Sequence, residues 1–114
     1  MTLCHRALDL ARHSKERGSE AYALRLLGEI AMHSEPLEAE QAEAHYRQAL
    51  TLADALSMRP LVAHCHLGLG KLHVRIDQPE PARLALSTAT MLYRKMDMGH
   101  WLQQAEGELA QVAE

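Results

Sequence analysis

Apolar and small residues along the chain recur mainly at spacings of three and four, which is the period of an amphipathic helix. In residues 60–76, for example, one face carries Val62, His66, Leu69, His73 and Ile76, at spacings of 4, 3, 4 and 3. Valine and isoleucine are scarce and never alternate with polar residues over the length of a strand. We therefore predict an all-α chain of six helices, over residues 2–16, 20–33, 36–56, 60–76, 79–96 and 99–113.

Glycine, serine and proline mark the expected helix boundaries. Gly18 is expected to end the first helix as a C-terminal glycine, and the Ser19 hydroxyl is expected to cap the second. Pro36, Pro60 and Pro79 suit the first turn of the helices that follow, where the missing N–H group costs nothing. Because no linker is long enough to mark a domain boundary, we expect one domain over the whole chain.

The helix pattern repeats about every 40 residues. In the first copy, Leu27-Gly28-x-x-Ala31 is followed by Ala42-x-x-x-Tyr46-x-x-Ala49; in the second, Leu69-Gly70-x-x-His73 is followed by Ala82-x-x-x-Leu86-x-x-Ala89. Gly107 aligns with Gly28 and Gly70, and Ala11, Ala53 and Tyr93 also correspond between copies. Repeats of this length are typical of stacked helical hairpins. An alanine facing each glycine would allow two helices to approach closely, and we expect such pairs here.

These motifs resemble the tetratricopeptide repeat, in which a Leu-Gly-x-x-Tyr helix pairs with an Ala-x-x-x-(Phe/Tyr)-x-x-Ala helix. Ala31, His73 and Leu86 stand where that family prefers an aromatic residue, and the repeat is about six residues longer than the family's 34. The resemblance implies a right-handed α–α superhelix of about six helices over nearly the whole chain. Its units would be a half-repeat at 1–17, repeats at 19–56 and 60–96, and a half-repeat at 99–113.

A chain that begins inside a repeat is expected to be a piece of a longer protein. Residues 58–68 and 92–102 resemble the C-terminal repeat region of large bacterial signalling ATPases and cyclases. That resemblance implies a place within a larger signalling or regulatory protein. The absence of a leader-like start and of an apolar run approaching ~20 residues favours the cytoplasm.

In the tetratricopeptide family the first helix of each hairpin lines a concave groove that holds a peptide or protein partner. By position, this groove would be lined by Tyr22, Arg25, Glu29, His64, Lys71, Arg75, Trp101 and Gln104, with Met32, Leu67 and Glu108 beside them. The family's carboxylate clamp uses lysine and asparagine. Because this chain contains no asparagine, we do not expect it to bind acidic chaperone C-termini. Trp101, the only tryptophan, is interpreted either as a binding anchor or as a cover for the end of the array.

The sequence offers little support for catalysis, metal binding or nucleic-acid binding. A formal net charge of −3 does not favour a nucleic-acid partner. None of the 8 histidines has a histidine or cysteine partner at the i, i+3 or i, i+4 spacing of a helical metal chelate. Cys4 and Cys65 are interpreted as free thiols, and Cys65 lies in mid-helix, away from any group that would activate it. We expect a non-enzymatic interaction scaffold without metal or cofactor.

Two alternatives remain open at this point. The first is a self-assembling repeat segment, because the first and last helices of such a piece would expose apolar faces. Residues 1–17 are basic and residues 97–114 acidic, which makes head-to-tail contact between copies conceivable. The second, weaker alternative is a small metal-dependent enzyme whose histidines converge from different helices.

Overall fold

The structure, a computed structural model, describes residues 17–34 and 37–113, and over these residues it contains helices and no strand. The helices are α1 (Arg17–Met32), α2 (Ala39–Ala55), α3 (Arg59–Arg75), α4 (Pro79–Lys95) and α5 (Gly99–Ala113). The all-α prediction is confirmed, and the last three helices lie within one residue of their predicted bounds. The helix predicted over 2–16 lies outside the described residues.

The helices pack in successive pairs, α1 against α2 and α3 against α4, with α2 also packed on α3 and α5 on α4. In addition, α1 contacts α3, and α3 contacts α5. The helices α2 and α4, both fully described, make no such contact with each other. Because only one layer has its helices in direct contact, the array curves towards that layer. We call α1, α3 and α5 the inner layer.

Three helices are followed by a residue in the left-handed backbone conformation. These residues are Ser57, Asp77 and Asp97, with φ of 57°, 59° and 57°. After α2, the Ser57 N–H donates to the Asp54 carbonyl at 3.1 Å and the Met58 N–H to the Ala53 carbonyl at 2.8 Å. These two bonds form a Schellman motif, which satisfies carbonyl groups that the helix leaves free. The equivalent bonds recur after α3 and α4. Since the three residues lie 20 positions apart, α3 and α4 each occupy a unit of 20 residues, and their hairpin one of 40.

The predicted helix boundary at Gly18 and Ser19 is wrong, because α1 begins at Arg17 and runs through both residues. No glycine among the described residues has a positive φ, so Gly18 is not a left-handed helix end. In this chain aspartate and serine take that conformation instead. The start predicted at residue 36 for the next helix also differs, since α2 begins at Ala39.

Tyr46 of α2 fills the space beside two glycines of the inner layer. Its ring atoms lie 3.1–3.2 Å from the position that a Cβ would take on Gly28 of α1, and they would overlap with a Cβ on Gly68 of α3. Leu86 of α4 occupies the matching place beside Gly70. The expectation that alanines face these glycines is therefore wrong: a large side chain fills each gap, and it sets how closely the helices approach.

The apolar residues of the last helix are only partly covered. Ala105 is fully buried, and Leu102, Leu109 and Val112 are partly buried against the same cluster of core residues. The predicted alignment of Gly107 with Gly70 is wrong, because α3 and α5 begin 40 residues apart, at Arg59 and Gly99. In this register Gly70 corresponds to the exposed Ala110.

We predict opposite stability effects for alanine at two helical glycines. Gly68→Ala should lower the free energy of unfolding by about 1–3 kcal/mol, because its methyl group overlaps with the buried Tyr46 ring, which also packs against Gly28. Gly107→Ala should raise it by up to about 1 kcal/mol, because nothing lies within 4 Å and alanine favours the helix. Urea unfolding followed by circular dichroism measures both. Equal effects of the two substitutions would contradict the described packing of Tyr46.

Candidate functional site

Six of the eight groove residues predicted from the sequence line one cavity in the inner layer. The cavity has a volume of about 210 Å³ and is lined by Arg25 and Glu29 of α1, His64, Leu67, Gly68 and Lys71 of α3, and Trp101 and Gln104 of α5. Within each helix the six predicted residues lie three, four or seven positions apart, so they share one face. The inner layer thus brings together side chains that are up to 79 residues apart in the sequence.

Tyr22 and Arg75, the other two predicted residues, do not line this cavity. Tyr22 lies on α1 with 52% of its surface exposed. The Arg75 guanidinium donates a hydrogen bond to the main-chain carbonyl of Met32. Arg75 therefore joins the C-terminal ends of α3 and α1, and it holds two inner-layer helices in position beside the cavity.

His64 and Trp101 of the cavity wall form an aromatic cluster with the buried Tyr93, and the three residues come from three successive helices. The His64 Nδ1 and Tyr93 hydroxyl lie 2.6 Å apart. The Trp101 ring meets the His64 ring edge-on, with 4.5 Å between centroids, and stacks on the Tyr93 ring at 6.2 Å. Such edge-on and offset arrangements are the favourable ones for aromatic rings. The cluster therefore fixes the orientation of Trp101 in the groove.

His64 is neutral at neutral pH. Burial, reinforced by the nearby Arg25 guanidinium, lowers its pKa to about 4, and the Glu29 carboxylate opposes this only in part. Burial also raises the pKa of Tyr93 above its ordinary value, so that its hydroxyl stays protonated. The Tyr93 hydroxyl can then donate to the unprotonated Nδ1 of His64.

The charges of the cavity are only partly paired. Arg25 Nη2 lies 3.3 Å from Glu29 Oε1, as an i, i+4 ion pair on α1. Lys71 is half-buried, and no carboxylate of the described residues lies within 4.0 Å of its ammonium group. The cavity therefore carries a net positive charge, although the chain as a whole carries −3.

One further polar group, Arg25 Nε, lies buried without a hydrogen-bond partner among the described residues. The Tyr46 hydroxyl lies 2.9 Å from the position that a Cβ would take on Gly68, a residue of the cavity wall. Burial and the neighbouring Glu29 carboxylate, which can accept a hydrogen bond from this hydroxyl, raise the pKa of Tyr46 above its ordinary value. The cavity wall therefore has one buried donor, Arg25 Nε, without an acceptor.

The contacts of Tyr93 on α4 and Tyr46 on α2 were not predicted from the sequence. Both residues were assigned only to the motif that packs the two helices of a hairpin together. A usable indication exists for Tyr93: the equivalent positions in the other copies are Ala11 and Ala53. A large side chain in place of two small ones reaches further from its helix. In the structure it reaches His64 and Trp101 of the inner layer.

The other residues considered for chemistry are buried packing groups. His73 is almost fully buried, and its Nδ1 lies 3.0 Å from Gln78 Oε1. Burial lowers the pKa of His66 and raises the pKa of the Cys65 thiol to about 12, so Cys65 stays protonated. In the described part of the chain, no three histidine, cysteine, aspartate or glutamate side chains are placed to share a metal ion.

No protein-family model matches the chain, and no curated protein matches it. None of the helices in the described ranges is long and apolar enough to cross a membrane.

We predict that His64 makes stability depend on pH between its unfolded and folded pKa values. The unfolded chain takes up a proton near pH 6.5 and the folded chain only near pH 4, so stability should fall as the pH is lowered through this range. The slope from one group cannot exceed about 1.4 kcal/mol per pH unit. His64→Gln, which can still accept from Tyr93, should reduce the slope measured by urea unfolding. His33→Gln, at an exposed position, is the control. Equal slopes for the wild type and His64→Gln would refute the assignment.

Proposed function

We propose that this chain is a non-catalytic protein-interaction module of tetratricopeptide type. Its inner groove would hold a peptide or helix of a protein partner, in a larger cytoplasmic signalling or regulatory protein. The observation that carries the proposal is the convergence of groove residues from α1, α3 and α5 on one cavity. Their positions follow from the repeat alone, so the groove is a consequence of the repeat architecture.

The composition of the groove supports recognition of a protein segment. Trp101 and Arg25 are of the residue types that contribute most at interfaces between proteins. Trp101 is half-buried and held by His64 and Tyr93, so little side-chain freedom is lost when a partner covers it. A pre-ordered aromatic side chain beside charged groups offers both an apolar contact and a polar one.

The chemistry of the candidate nucleophile and base supports a non-catalytic role. Cys65 is fully buried and remains a thiol, which is a poor nucleophile. His64 has its Nδ1 occupied by the Tyr93 hydroxyl and a pKa well below the range useful for a base at neutral pH. Neither group has the environment that an acid–base or covalent mechanism needs.

The proposal predicts that loss of two groove cations weakens partner binding. Peptides selected from a random displayed library on the wild-type chain serve as probes, and binding is followed by the fluorescence of Trp101, the only tryptophan. Arg25→Ala combined with Lys71→Ala should weaken binding by about tenfold or more, since charge-assisted hydrogen bonds contribute roughly 1.5–3 kcal/mol each.

A matched control removes two cations from elsewhere on the surface. Arg59→Ala combined with Lys95→Ala changes the net charge equally at exposed positions outside the cavity. The control should bind as the wild type does, and circular dichroism should show that both double variants are folded. Full binding by the Arg25/Lys71 variant, or an equal loss in both variants, would refute the groove as the binding site.

A second candidate function is self-association, and one specific observation favours it. Tyr22, Leu26 and Ile30 of α1 lie four residues apart and form an apolar stripe, with 52%, 50% and 44% of their surfaces exposed. Residues at this spacing share one helix face. Exposed apolar surface of this kind favours contact with a second copy.

Self-association through this stripe predicts a concentration-dependent dimer that Leu26→Glu converts to a monomer. A charge at the centre of an apolar contact would be desolvated without a partner, which costs several kcal/mol. Sedimentation equilibrium over a range of concentrations measures the effect. Leu84→Glu, at another exposed leucine on α4, is the control. A wild-type monomer at the highest concentration would exclude this candidate.

A further inference from the structure

The inner-layer cavity is too small for a typical small-molecule site and suits one side chain of a bound segment. Its volume is about 210 Å³, below the roughly 300–1,000 Å³ of ordinary ligand pockets. It opens between α1, α3 and α5, beside the face on which we place the partner. The side chain that enters it is therefore a determinant of partner specificity.

The walls of the cavity divide into an apolar and a cationic part. Leu67 and Trp101 supply apolar surface, and Lys71 supplies a positive charge. Glu29 does not neutralise Lys71, because its carboxylate is hydrogen-bonded to Arg25 at 3.3 Å. The neighbouring His64 is neutral and bonded to Tyr93. Since no carboxylate of the described residues pairs with Lys71, an anion from the partner can form a charge-assisted hydrogen bond with its ammonium group.

One unpartnered donor beside the cavity also fits an anion. The buried Arg25 Nε has no acceptor in the described part of the chain. The Tyr46 hydroxyl adds no free donor, because the Glu29 carboxylate lies beside it and can accept its hydrogen bond. A donor that lacks an acceptor is satisfied by a ligand that carries oxygen atoms.

We propose that the cavity receives the side chain of an internal glutamate or aspartate of the partner. Its methylene groups pack against Leu67 and Trp101, and its carboxylate binds the Lys71 ammonium group. This inference rests on the proposed function, because it assigns one contact within the proposed groove. It predicts that segments bound here are selected for an acidic residue within the chain.

The test uses the peptides selected on the wild-type chain, synthesised with both ends blocked so that only side chains carry charge. Asp and Glu should be enriched at one position. Replacing that residue by its amide, Glu→Gln or Asp→Asn, should weaken binding to the wild type by about tenfold, as followed by Trp101 fluorescence. The acidic peptide and its amide analogue should bind the Lys71→Met variant with nearly equal affinity. The Lys95→Met variant is a matched control at an exposed position, and it should distinguish the two peptides as well as the wild type does.

The outcomes separate this inference from the proposed function. If the peptides depend on Arg25 and Lys71 but the amide replacement changes nothing, the acidic side chain is refuted and the groove function stands. If blocking the C-terminus abolishes binding, a terminal carboxylate is the ligand and the internal side chain is refuted. If binding is indifferent to all groove variants, the proposed function itself fails.

Discussion

The position of the Tyr46 ring between two glycines is the constraint on which the rest of the structure depends. The ring extends from α2 and contacts Gly28 of one inner helix and Gly68 of the next, so it joins three helices of two successive hairpins. Any residue other than glycine at positions 28 and 68 would place a Cβ in the space that the Tyr46 ring occupies. The approach of α1 and α3 therefore depends on the space that the Tyr46 ring fills beside both helices.

The same arrangement explains the electrostatics of the groove. Because α1 and α3 lie close together, the Arg25 guanidinium acts on His64 and, together with burial, keeps that ring neutral. A neutral His64 can accept a hydrogen bond from Tyr93, and the two rings then hold Trp101. Lys71 remains without a carboxylate partner in the described residues, since Glu29 is engaged by Arg25. The groove thus combines a fixed aromatic wall with one uncompensated charge.

Periodicity predicted the helices well, because each one buries a stripe at the helical spacing. Six of the eight residues predicted from the repeat position line one cavity, because residues at the same position of a repeat share a face. Periodicity failed where a rare backbone conformation determines the end of a helix. Helices end before the left-handed residues Ser57, Asp77 and Asp97, whereas Gly18 lies within a helix. Composition alone does not separate these cases, since glycine is tolerated in a helix and aspartate tolerates positive φ.

The contribution of the second layer to the site could not be predicted from spacing. Tyr93 and Tyr46 reach the inner layer only because the facing positions are small, and that pairing between helices is a property of the packed hairpins. The alignment of Gly107 with Gly28 and Gly70 failed for a related reason. The helices α3 and α5 begin 40 residues apart, so Gly70 corresponds to Ala110. No side chain of a following helix lies against Gly107 in the described residues.

The binding surface is tested most directly by mapping a bound peptide through the changes in chemical shift of the amide groups of this chain. We expect the largest changes on the inner faces of α1, α3 and α5, with the indole N–H of Trp101 among them. The exposed faces of α2 and α4 should remain unchanged. Changes concentrated on α2 and α4, with Trp101 unaffected, would contradict the assignment of the inner layer as the binding surface.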